Sequence, residues 1–385
     1  MATSILKKNF PGVDTLQEAA NQATFIIGLD LHKKTTAICV IDPNNPDRPV
    51  FQRKRFKNNE LLEKIKSFSG KKVIAAESAY GWFPLREALK MLEDTTLVLL
   101  DPRKTSSWIQ STGIKNDKID AHVLCHVCLH GAIPRLAVHQ PSREAREHFK
   151  LVNIRERFVS QRTSVSNQIK AIDRDYGANP YTGEIEEPTQ LMKNMKELLT
   201  EHLNNLNGQI AEIDKQIADL SKNDKIIKLL KSIPGIGPVS AFAIRHKVET
   251  IERFKDPSRL SSYFGFGIRE YDSGDHRVKG KITKTGNVLV RTLLVQGAQT
   301  VRNRCPGHIP LYFPKLGKSE LMEDRKHANK VVIALARKNL TFVFHVWKNK
   351  TAFDLNYYRK QRSLNMPSKS CRTRSVICSQ GRTAV

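Results

Sequence analysis

Residues 25–42, FIIGLDLHKKTTAICVID, run from an apolar stretch through a charged turn into a second apolar stretch, a pattern that predicts two adjoining β-strands. Asp30 then falls at the end of the first strand. KKVIAAES (Lys71–Ser78) predicts another short buried strand, which also ends on an acid, Glu77, and TTLVLLDP (Thr95–Pro102) predicts a fourth. Between them YGWFPLREALKML (Tyr80–Leu92) has helical spacing, so strands alternate with helices in an α/β domain. Open α/β sheets carry their sites at strand ends, which is where these acids fall.

RKTSSWIQSTGIKNDKIDAHVLCHVCLHG reads as a polar linker followed by a helix that opens near Asn116 or Asp117. Asp117 and Asp120 are three apart, which puts both carboxylates on one face of that helix. From Ser142 to about Lys231 the chain is polar and charged, with Leu151, Ile154, Phe158 and then Leu203, Leu206, Ile210, Ile213 and Ile217 at helical spacings. Two long helices forming an antiparallel coiled arm fit this pattern, broken at GANPYTGEIEEP. Such an arm serves either to dimerise or to clamp a long ligand.

A compact, mainly α-helical domain follows. Its IPGIGP turn resembles the hairpin of a helix-hairpin-helix module, in which Gly235 and Gly237 would expose backbone N–H groups to a nucleic-acid phosphate. An ordinary tight helix-to-helix turn accounts for the same residues. Ser273 and Gly274 then open what reads as a flexible segment with Arg277, Lys279, Lys281 and Lys284, ahead of a helix containing Arg291. Residues 329–347 predict another apolar helix. Beyond Tyr358 the chain is basic and Ser-rich and reads as disordered. The expected divisions are an N-terminal extension (1–24), the α/β domain (25–141), the arm (142–225), the C-terminal domain (226–350) and the tail (351–385).

Charge narrows the partner. Lysine and arginine number 64 against 38 acidic residues, a formal charge of +26, which favours a polyanion and nucleic acid first. No apolar run approaches the roughly 20 residues that span a bilayer, and the start MATSILKKNFPGVD has no signal-peptide core. With six irregularly spaced cysteines, the chain reads as a cytoplasmic protein of a reducing compartment. His122, Cys125, His126, Cys128 and His130 crowd into HVLCHVCLH, but no second ligand pair stands at a finger-like spacing. Helix packing is the expected role of that cluster.

Carboxylates from separate elements that converge at a sheet edge suit one task well, holding Mg²⁺ or Mn²⁺ against a phosphodiester. Asp30, Glu77, Asp117 and Asp120 offer four hard ligands, although ion pairs with the many lysines would also account for acids at these places. A serine also attacks phosphate when a metal or base activates it and cations neutralise the transition state. Nothing local separates Ser273 from an ordinary turn serine.

Taken together, GLDLHKKTTA, AAESAYGW, DPRKTSSW, KNDKIDAHVL, SIPGIGPVSA and DSGDHRVKGKITKTGNVLVRTLL closely resemble the insertion-sequence 110 family of transposases, relatives of the Piv-type invertases, over residues 25–350. The resemblance implies an RNase H/RuvC-like N-terminal domain with a DEDD metal site, a coiled-coil arm and a C-terminal transposase domain with a catalytic serine. The acids carry over to Asp30, Glu77, Asp117 and Asp120. The serine carries over to Ser273, ahead of a Lys-x-Gly-Asn signature at Lys284, Gly286 and Asn287. Where many members show two serines before the glycine, this chain has Asp272 and Ser273. Also implied are a bacterial, nucleoid-associated enzyme, recombination of donor and target DNA guided by a non-coding bridge RNA, and a dimer or tetramer in which the serine of one subunit completes the metal site of another. A RuvC-like nuclease or resolvase using metal-activated water is the alternative enzyme. A non-catalytic nucleic-acid-binding protein is the alternative outside enzymology.

Overall fold

The computed structural model describes residues 13–111, 113, 116–178, 181–273, 276–304 and 325–354. The chain divides into two compact units, 1–142 and 143–385.

In the first unit, β1 (Phe25–Leu31) and β2 (Thr35–Ile41) are the two expected adjoining strands and pair antiparallel, and β4 (Lys72–Glu77) and β5 (Thr95–Leu100) continue the sheet in parallel with β1. A further strand, β3 (Phe51–Lys57), pairs antiparallel with β2, giving the order β3-β2-β1-β4-β5. The period-two alternation splits the apolar residues between two faces. Ile26, Cys39, Val73, Ala75 and Val98 face α1 (Val13–Asn21) and α5 (Asp117–Leu129), while Ile27, Leu29, Ile38, Ile74 and Leu99 face α2 (Leu61–Lys66) and α3 (Trp82–Leu89). Each fully buried aliphatic side chain contributes roughly 1.5–3 kcal/mol, so this two-sided core fixes the strand register that places Asp30 and Glu77.

Three elements of this unit differ from expectation. β3 was not anticipated, because FQRKRFK exposes its four central residues and buries only Phe56. The polar linker after Pro102 contains a helix, α4 (Pro102–Gln110), capped by Asp101, whose side chain accepts from Arg103 N. The N-terminal extension contributes α1, which buries Leu16 and Ala20 in the core below the sheet. A short helix, α6 (Ile133–Leu136), closes the unit.

The second unit opens with two long helices, α7 (Arg143–Asp175) and α8 (Gln190–Ser221), separated by the two-residue strands β6 (Gly177–Ala178) and β7 (Ile185–Glu186). They run antiparallel, since Asp173 meets Lys196 near the turn and Arg155 meets Asp214 further along. Their open ends share one core with the helices that follow: Val152, Ile213 and Ile217 cluster with Phe242, Phe264, Leu335 and Trp347. Those helices are α9 (Lys225–Leu230), α10 (Pro238–Val248), α11 (Pro257–Tyr263), α12 (Val288–Arg304) and α13 (Arg325–Asn349). The segment expected to be flexible around Ser273 instead contains a β-hairpin, β8 (Ile268–Ser273) and β9 (His276–Ile282). Among the described residues no helix is long and apolar enough to cross a membrane. The basic tail beyond Asp354 lies outside the described residues.

Candidate metal centre

Strand parity brings the first two acids together. Asp30 lies on the same face of β1 as Ile26 and Gly28, and Glu77 lies on the same face of β4 as Val73 and Ala75; β1 and β4 are parallel neighbours, with Leu29 opposite Ala76. Both carboxylates therefore point to the side of the sheet covered by α5. That helix sits directly on the strand at Gly28, where any Cβ would run into the Ala121 carbonyl. The helix, expected to open near Asn116 or Asp117, is capped by Asn116, which accepts from Lys118 N, so Asp117 and Asp120 occupy its first turn.

The four acids share one electrostatic environment. Asp30 has a carboxyl pKa raised above 3.8, first by burial and then by the nearby charges of Asp117, Asp120 and Glu77, with His32 opposing the rise. His32 Nε2 lies 3.4 Å from Asp30 Oδ2 and 3.9 Å from Asp117 Oδ2. Lys54 Nζ, from the basic edge strand β3, lies 3.6 Å from Asp117 Oδ2. Ligand atoms of Asp30, His32 and Asp117 all fall within 4.8 Å of one another. The hydroxyl of the fully buried Thr105, on α4, donates to Glu77 Oε1. A site in which three carboxylates raise the proton affinity of a fourth is one that a divalent cation would neutralise, and its oxygen-rich donor set fits a hard ion.

The four acids singled out in the sequence lie near one another in this structure, and His32, Lys54 and Thr105 beside them were not singled out. His32 carried a usable signal: as residue i+2 from Asp30 it shares that residue's strand side. Lys54 and Thr105 carried none, because the first depends on the register of an unrecognised strand and the second on a helix read as linker.

The cysteines of the HVLCHVCLH cluster pack as expected. Cys125 and Cys128 are buried thiols, Cys125 within 3.6 Å of the Ile26 carbonyl and 3.5 Å of the Cys39 carbonyl, and burial pushes Cys128 up to about 12.

In the second unit, Ser273 ends β8, with its backbone opposite His276; its side chain and Gly274 lie outside the described residues, as do the side chains of Arg277 and Lys279 on β9. Lys281 is exposed, and Lys284 is exposed with a φ of 57°. Gly286 packs against the backbone of Tyr263 and Gly265, where a side chain would not fit. Asn287 accepts from Val290 N and so caps α12. Arg291 Nη1 donates to the carbonyls of Phe264 (3.1 Å) and Gly286 (3.3 Å). Gly235, at φ 83°, sits against the backbone of Gly297 on α12, and Gly237 opens α10 with free space around its Cα.

A mixed sheet in this order, with acids at adjacent strand ends and on the covering helix, and a helical second unit are consistent with a RuvC-like DEDD protein. The comparisons give the family. Residues 27–175 match the DEDD-type transposase model of IS110, and residues 227–313 match the model described as Transposase IS116/IS110/IS902 family. The chain is 25% identical over 339 residues to the transposase for insertion sequence element IS1111A of Coxiella burnetii, covering 83% of this chain and 88% of that protein. It is likewise 25% identical over 347 residues to the transposase for insertion sequence element IS1328 of Yersinia enterocolitica, covering 85% and 98%. The chain is an insertion-sequence transposase of the IS110 family.

Proposed function

We propose that this transposase cleaves and rejoins donor and target DNA using a Mg²⁺ site (Mn²⁺ serving equally) formed by Asp30, Glu77, Asp117 and Asp120, with Ser273 as nucleophile. One observation carries the reading: three carboxylates, Glu77 from β4 and Asp117 and Asp120 from α5, act on a fourth, Asp30 on β1, inside the segment that matches the DEDD transposase model. The ion would polarise the phosphoryl oxygen and lower the pKa of the attacking group. The protein's own residues prepare the site. Thr105 holds one oxygen of Glu77, His32 Nε2 lies between Asp30 and Asp117, and the Lys54 ammonium pairs with Asp117.

In this reading the serine oxygen forms a phosphodiester with one DNA strand while the displaced sugar oxygen leaves as a hydroxyl, so the bond is conserved for rejoining. The resemblance of Asp272–Ser273 and of Lys284, Gly286 and Asn287 to the family signature supports this role. A net charge of +26 is ample for binding a bridge RNA as well as DNA. Base pairing with that RNA would select the sites, leaving the protein to read backbone and shape. The same resemblance supports a dimer or tetramer.

Strand transfer on supercoiled DNA, with the RNA transcribed from the element's flank supplied, tests the reading. Wild type should give joined product and a trappable protein–DNA covalent complex, and Asp120→Ala and Ser273→Ala should give neither. If Ser273→Ala still cuts and no covalent species forms, the enzyme is a nuclease that uses metal-activated water.

A further inference from the structure

The nine residues from His122 to His130 carry two different surfaces of α5. Val123, Leu124, Cys125, Val127 and Cys128 are buried in the core. His122, His126 and His130, each four residues apart, form a stripe on the side of the helix away from it. The helix backbone holds these rings in register, and α5 is itself seated on β1 at Gly28.

His122 Nε2 and His126 Nε2 lie 3.1 Å apart. Two imidazole nitrogens bound at 2.0–2.1 Å to one tetrahedral zinc-like ion stand about 3.3–3.4 Å apart, so the pair needs little movement to share a metal. On the other side of the His126 ring, Nδ1 lies 3.4 Å from His130 Nε2. A proton on Nδ1, donated to His130, leaves His126 Nε2 as a lone pair aimed at His122, the arrangement by which a neighbouring acceptor orients a metal-binding histidine. Burial, then His122 and His130, lower the pKa of His126, which keeps its ring neutral as a ligand must be. The loop between β2 and β3 closes over this face, with the Pro46 carbonyl 3.4 Å from His122 Nε2 and the Asp47 carboxylate close enough to act on His126.

We propose that His122 and His126 form a two-imidazole site for a borderline transition-metal ion of the zinc class, with His130 as the positioning residue for His126 and water completing the coordination. Without metal, His122 Nε2 lies between His126 Nε2 and the Pro46 carbonyl; a metal bound at Nε2 takes the tautomer whose proton is on Nδ1, with no net release of a proton. The site is separate in chemistry from the acidic centre at the N-terminal end of the same helix. Its donors are nitrogens, where the acidic centre offers oxygens and the single imidazole of His32.

The test uses full-length, untagged protein with one equivalent of Zn²⁺ and excess Mg²⁺ to occupy the acidic centre. Zinc-edge X-ray absorption of wild type should show two imidazoles at about 2.0 Å. One imidazole or none overturns the proposal, because it places zinc at Asp30–His32–Asp117 or elsewhere. By chelator competition, His122→Gln combined with His126→Gln should weaken zinc binding by roughly 100-fold or more, and His130→Gln by about tenfold, with Asp30→Asn unchanged. Retained affinity in the double variant overturns the proposal. The wild-type spectrum decides the matter even if that variant does not fold.

Discussion

The Thr105 hydroxyl has a single proton, and its nearest acceptor is Glu77 Oε1; the back-bonded carbonyls of Pro102 and Asp101 are further away, at 3.2 and 3.3 Å. Glu77 is thus held by a fully buried residue. Thr105→Val keeps the shape of this fully buried side chain and removes the donor. We expect it to cost about 1.5–3 kcal/mol of stability, the value of a hydrogen bond to a charged group, and to raise the half-saturating Mg²⁺ concentration for strand cleavage roughly 10–100-fold. Cleavage titrated against Mg²⁺ measures this, and an unchanged midpoint would mean that Glu77 holds its position unaided. The acids were legible because each ends or opens a recognisable element. Their supporting residues were not, since hydrogen-bond partners 28 residues apart, such as Glu77 and Thr105, leave no periodic trace.

At the scale of elements, α10 packs against α7 through a histidine that does not titrate in its ordinary range. His246 lies against Phe242 and His148, and burial first, with the charges of His148 and Arg245 assisting against Asp224 and Glu249, lowers its pKa from 6.5 to about 3. The sign follows from linkage. The unfolded chain takes up this proton below pH 6.5 and the folded chain only near pH 3, so the stabilisation is whole above 6.5 and is lost as pH falls through that window. The slope for one such group is about 1.4 kcal/mol per pH unit. His246→Leu removes this titration, so the wild-type-minus-variant difference in unfolding free energy should fall by up to about 1.4 kcal/mol per pH unit between pH 6.5 and 4, measured by denaturant titration. A difference that does not vary with pH would show that His246 is solvated. The same packing logic explains which elements the sequence concealed. In α4 and at its C-cap the hydroxyls of Ser106, Ser107 and Ser111 bond back to carbonyls three residues earlier, so a helix reads as polar linker. β3 is an edge strand whose lysine and arginine side chains suit exposure and blunt edge pairing, and this hides its period-two pattern. The long helices α7 and α8 were legible because their apolar spacing persists over many turns.

For the whole molecule the dominant quantity is charge. With +26 spread over a chain whose acidic centre must approach phosphodiesters, binding and chemistry pull in opposite directions: the cations gather the polyanion, and the four carboxylates repel it until a metal neutralises them. Removing one of those negative charges should therefore separate the two activities. We expect Asp30→Asn to bind DNA in metal-free buffer at least as tightly as wild type, because it loses a half-buried carboxylate already crowded by three others, while strand cleavage in Mg²⁺ disappears. Both proteins should show the same steep fall of affinity with salt, each neutralised phosphate contributing about −0.9 to the log–log slope on duplex DNA. Fluorescence anisotropy across a salt series, run beside a cleavage assay, gives both readouts. If Asp30→Asn lost binding in parallel with cleavage, the quartet would be holding the protein's shape instead of a metal, and its place at the strand ends would be structural.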